Sequence, residues 1–64
     1  MLFLQLISDG DGYRGLVGDC DTCAELYLSP IMERGAAFGA AERFIGNRTG
    51  EAGAYHNLGT DDGR

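Results

Sequence analysis

Residues Met1 to Ser8, MLFLQLIS, constrain the fold more than any other stretch, because they form the one long apolar run in the chain. As a strand, the run sends Leu2, Leu4 and Leu6 to one face and Phe3, Gln5 and Ile7 to the other. Both faces are largely apolar, as in a central strand covered on two sides. Leucine also favours helix, but the run is short and stops at a turn cluster, Asp9-Gly10-Asp11-Gly12, so a strand is expected. It lacks the basic start and small-residue cleavage site of a signal peptide, and it is too short to span a membrane. A soluble, unprocessed, cytoplasmic protein is expected.

The Asp-Gly pairs read as a hairpin turn. Tyr13 to Gly18 then forms the returning strand, an edge weakened by Gly15. Asp21 or Thr22 is placed to cap a short helix over 22–28, ending ahead of Pro30. Ser29-Pro30 reads as the start of the main helix, spanning 30–45. Its expected buried stripe is Ile31, Phe38 and Ile45 with Ala37, Ala41 and Phe44 beside them. Glu33, Ala36, Ala40 and Arg43 fall opposite. Gly35 and Gly39, four apart, either allow another backbone to approach closely or mark a loosely specified helix. Gly46-Asn47 is expected to stop it. Residues 54–58, AYHNL, supply a third strand. Together these give an α+β fold: a small two-layer domain over 1–58 with strand order 2-1-3, counting strands in sequence, and one main helix on the sheet. Residues 59–64 read as a disordered tail.

Size and charge narrow the function. A chain of 64 residues buries only about 60% of its unfolded surface, so a staple, a metal or a second subunit often helps chains of this length. The 11 glycines add entropy cost wherever they fall inside elements. A homodimer is compatible with both. The net charge of −5 argues against direct contact with nucleic acid or with an anionic membrane. It suits a protein partner with a basic surface. The five basic residues are all arginine, which reads first as a compositional bias of the source and second as interface-prone chemistry.

Cys20-x-x-Cys23 is the most specific local pattern. As a redox pair it would sit at the N-terminus of the expected short helix, though Asp19 and Asp21 beside it offset the helix dipole. As a zinc site it offers Cys20 and Cys23, with His56 as a third ligand and a fourth from an aspartate or a second chain. A four-cysteine site shared across a dimer fits the same pattern. Structural zinc sites usually show a second such pair. The plainest reading is two reduced cysteines, at least one packed in a small core.

Other patterns carry less. The aspartates from Asp9 onward fail the calcium-loop pattern at Tyr13, Arg14 and Cys20. Gly10-x-Gly12-x-x-Gly15 opens no long helix and has aspartates where a pyrophosphate would lie. Asn47-Arg48-Thr49 matches the glycosylation sequon, without weight in the absence of a secretory signal. His56 stands without a nucleophile, and no nucleophile–base pair is evident, so no enzyme is expected.

One main helix covers one sheet face. The other face, with Phe3 and Ile7 and with Arg14 and Leu16 beside them, is either open to a partner or crossed by the short helix or the loop after Gly46. Asp9, Asp11, Asp19, Asp21 and Glu25 are expected to form an acidic surface near the hairpin. The function expected is non-catalytic binding of a protein through this acidic surface together with Phe3 and Ile7. Its sharper form is an inhibitor filling a basic, nucleic-acid-binding groove. Phage-encoded inhibitors of host defence, anti-CRISPR proteins among them, are often this short and acidic, a parallel of size and charge without a shared motif. The alternative is a small zinc-binding or redox domain centred on Cys20 and Cys23.

Overall fold

The computed structural model describes residues 1–61 and shows a four-stranded sheet with one helix packed on it, an α+β fold. In chain order the elements are β1 (Leu2–Asp9), β2 (Gly12–Asp19), β3 (Glu25–Leu28), α1 (Arg34–Thr49) and β4 (Tyr55–Asp61). The spatial order is β3-β2-β1-β4. β1 and β2 form an antiparallel hairpin with Asp9 opposite Gly12. Gly10 supplies the positive φ, 62°, at the first position of the two-residue turn, where a type II′ turn needs glycine. β4 returns beside β1 in parallel.

The apolar first strand is central, flanked by the hairpin strand and the C-terminal strand as its pattern predicts. The fourth strand is the difference. Residues 22–28 do not form a helix; Glu25–Leu28 is an edge strand antiparallel to β2. Helix propensity in CAELYL is overridden by two tertiary terms. β2 would otherwise leave a hydrogen-bonding edge open, and Tyr27, facing α1, stacks on Phe44 with ring centroids 4.9 Å apart. Asp21 and Thr22 serve turns instead of a helix cap. The Asp21 N–H donates to Asp19 Oδ1 at 2.7 Å, and the Ala24 N–H donates to Thr22 Oγ1 at 3.2 Å.

The main helix is shifted one turn towards the C-terminus. It starts at Arg34, not at Pro30, and Glu33 is its N-cap, accepting from the Gly35 N–H at 3.1 Å. Residues 29–32 instead continue along β2, with the Tyr13 N–H donating to the Met32 carbonyl and the Met32 N–H to that of Tyr13. Ile31 therefore leaves the expected buried stripe and is 50% exposed. Ser29 is fully buried and caps no helix. Its Oγ accepts the Gly15 N–H at 2.7 Å and donates to the Pro30 carbonyl at 2.9 Å. The helix runs past Gly46-Asn47 and stops at Gly50, which is left-handed at φ 82° and donates its N–H to the Gly46 carbonyl.

The core is one-sided. Leu2, Leu4, Leu6 and Val17 from the sheet meet Ala37, Ala40, Ala41 and Ile45 from the helix. Ala40, expected on the outer side, is buried here. Close approach is made at Gly15, not at the spaced glycines of the helix. A Cβ on Gly15 would strike the Ala37 carbonyl oxygen and the Ala41 methyl, whereas at Gly39 it would meet only the end of Arg43 at 3.5 Å. Gly59–Asp61 belong to β4 and are not a tail; residues 62–64 of the expected tail lie outside the described residues.

Replacing Ser29 by Ala strands the buried Gly15 N–H. Because an unsatisfied buried donor costs about 1–3 kcal/mol, Ser29→Ala is expected to lower the urea midpoint by a matching amount. An unchanged midpoint would mean that the bond contributes nothing.

Candidate functional site

Strand alternation divides the side chains of the sheet between two faces. Leu4 and Val17 are register partners and point at α1; Phe3 with Gly18, Gln5 with Leu16, and Ile7 with Arg14 are partners on the opposite face. Leu28, opposite Leu16, extends that face onto β3, and His56, opposite Phe3, extends it onto β4. Leu28 is 38% exposed, and Leu58 on β4 is 54% exposed. Phe3 lies across Gly18, where a Cβ would collide with its ring. With residues 22–28 in the sheet and α1 on the other side, no described helix covers this face. The expected short helix is not there to cross it; Phe3, Ile7 and Leu16 are half-buried and Leu28 is exposed.

The acidic residues do not form one surface. Asp9 and Asp11 sit at the β1–β2 turn, while Asp19, Asp21 and Glu25 sit at the β2–β3 end. β2 separates the two groups by eight residues, roughly 23 Å at the usual rise. The apolar face lies between two acidic ends. Arg14 holds Asp9, its Nε donating to Oδ2 at 2.8 Å. Such a partly exposed pair adds little stability, but it fixes the carboxylate at the end of β1.

Cys20 and Cys23 are both exposed, with free thiols, in the β2–β3 turn. The helix whose N-terminus was to activate them is absent, so that basis for a redox centre is lost. His56 is on β4, and among the described residues no three metal-ligating side chains gather.

A second feature was not legible in the sequence. β1 and β4 run in parallel, so their C-terminal ends, bearing Asp9 and Asp61, lie at the same end of the sheet. Ile7 is the partner of Asp61, which puts Asp9 two residues further along the neighbouring strand on the same face. The first turn of α1 reaches this end: Arg34 Nη2 donates to Thr60 Oγ1 at 2.9 Å, and its guanidinium lies 5.6 Å from the centre of the Tyr13 ring. On the helix side an open groove of about 340 Å³ runs between α1 and β4, floored by Leu6 and Phe38. The only sequence signal for this arrangement was the parallel crossover implied by placing the C-terminal strand beside β1.

The chain matches no family model, no curated protein and no solved structure. Among the described residues no helix is long and apolar enough to cross a membrane.

β4 is tied to α1 by Tyr55, whose hydroxyl donates to Glu42 Oε2 at 2.9 Å. Burial, then this hydrogen bond and the Glu42 charge, hold the Tyr55 phenol above its ordinary value of 10.0. A folded-state value above the unfolded one favours folding at lower pH, and that contribution is lost as pH rises through the folded value. An alkaline absorbance titration should therefore show one late-ionising tyrosine, moved earlier by Glu42→Gln. Coincident titration of all three tyrosines would contradict the assignment.

Proposed function

We propose that the protein is a non-catalytic binding protein that docks the open face of its sheet on a protein partner. The observation that carries this reading is the uncovered face bearing Phe3, Ile7, Leu16 and Leu28. Apolar side chains gathered on one sheet face of so small a domain suit an interface. The acidic ends suggest the outline of the partner: an apolar strip with basic groups at both sides. The net charge of −5 favours such a partner and speeds encounter with it. The inhibitor of a basic, nucleic-acid-binding surface, of the kind phages direct against host defence, is the sharper form of this reading. A second copy of the chain is the competing occupant.

Affinity capture from an extract, with Leu16→Asp and Ile7→Asp as controls of verified fold, tests the reading. Both substitutions should abolish capture, and high salt should weaken it because charge at the rim is screened. Capture indifferent to both variants would sink the docking face. A dimer by native mass spectrometry that Leu16→Asp dissolves would give the face to a second copy.

A further inference from the structure

The turn between β2 and β3 combines three features that the docking face does not use. Cys20 and Cys23 are the first and last residues of a four-residue loop between Asp19 and Ala24. The loop is closed by the Cys23 N–H on the Asp19 carbonyl at 2.8 Å and by the Asp19 N–H on the Ala24 carbonyl at 3.0 Å. It is also tied to β1, since the Cys20 N–H donates to the Met1 carbonyl at 2.9 Å. In a tight turn, Cα atoms three residues apart lie within about 7 Å, and a disulfide spans roughly 4.4–6.8 Å. Both thiols are exposed and free. Finally, Cys23 is left-handed, at φ 61°, the one non-glycine residue among those described with positive φ. That conformation belongs to glycine and asparagine by backbone preference. A cysteine there is not explained by its backbone, which leaves its side chain as the reason for it.

We infer that Cys20 and Cys23 are a dithiol site that closes reversibly into a disulfide across the β2–β3 turn. The oxidant is a low-molecular-weight disulfide of the glutathione class. One cysteine thiolate attacks a sulfur of that disulfide, forming a mixed disulfide and releasing one thiolate. The other cysteine, deprotonated in turn, attacks the protein sulfur of the mixed disulfide and releases the second. One Sγ–Sγ bond forms, two thiol protons are lost, and the oxidant leaves as two reduced thiols. The product staples the short edge strand β3 to β2 at its entry point. Exposed disulfides in short loops are the readily reduced ones, so the closure acts as a redox-responsive clamp and not as a permanent cross-link. It differs from the helix-activated redox pair weighed in the sequence, because it relies on proximity within a turn.

The full chain, reduced and then exposed to oxidised glutathione, tests this by intact mass and by alkylation. The expected product is a monomer two hydrogens lighter than the reduced chain, with both alkylation sites lost and a raised urea midpoint. Dithiothreitol should reverse all three changes. Cys20→Ser and Cys23→Ser should each stop at a single glutathione adduct. A wild-type chain that instead carries two glutathione adducts, or links into disulfide dimers, overturns the inference. So does a chain whose thiols stay reduced while a chelator-removable zinc ion is bound.

Discussion

The approach of α1 to Gly15 of β2 is the contact on which the rest of the structure depends. The helix buries three alanines and one isoleucine, a thin apolar contribution, so it must sit close to the sheet to exclude water. Gly15 permits this, because any side chain there would meet the Ala37 carbonyl and the Ala41 methyl. The same residue donates its N–H to the buried Ser29 hydroxyl, and its carbonyl accepts the Ser29 N–H at 2.9 Å. Gly15 thus seats the helix through its missing side chain and anchors the β3–α1 connection through its backbone.

How much of this was legible in the sequence follows from which residues act locally. The β1–β2 hairpin was readable because its turn chemistry, Asp9 to Gly12, and the alternation of Leu2, Leu4 and Leu6 are local signals that agree with the final fold. The strand character of residues 25–28 was not, because Ala24, Glu25, Leu26 and Leu28 favour helix and outweigh the strand preference of Tyr27. The strand comes from β2's open edge and from Phe44, sixteen residues or more away in the chain. The same cause shifted the start of the helix. Ser29-Pro30 has the composition of a helix start, yet Ser29 is drawn inward by Gly15. The role of starting the helix passes to Glu33, which is not a favoured cap residue. Of the candidate site, the apolar residues Phe3 and Ile7 could be placed on one face from period two alone. The separation of the acids into two groups could not, because it requires knowing that β2 runs the full length between them.

One helix over a four-stranded sheet leaves a two-layer structure with an open side. Phe3 shows how the fold meets that cost within the chain: it lies down over Gly18 and buries part of its ring without a second layer. Leu16 and Leu28 are register partners on that face, and Leu28 is exposed, which is why the docking reading rests on the centre of the sheet and the β3 edge more than on the end near Phe3. The charge pattern leads the same way. The acids sit at both ends of the strands, with Arg14 turned to Asp9 at one of them, and an interface with an apolar core and a polar rim is the usual anatomy of protein association.

The two ends of the sheet nonetheless differ in kind. At the β2–β3 end the carboxylates accompany a turn, and Asp19 is spent on a local hydrogen bond to the Asp21 N–H. At the other end Asp9 closes a strand and is held by Arg14, and the parallel neighbour ends in Asp61. Parallel pairing brings these two strand ends together, whereas in an antiparallel pair the two C-terminal ends would lie at opposite ends of the ladder. The parallel ladder between β1 and β4 is therefore what sets the acids of this end on two adjacent strands. It arises because α1 carries the chain back across the sheet before β4 begins.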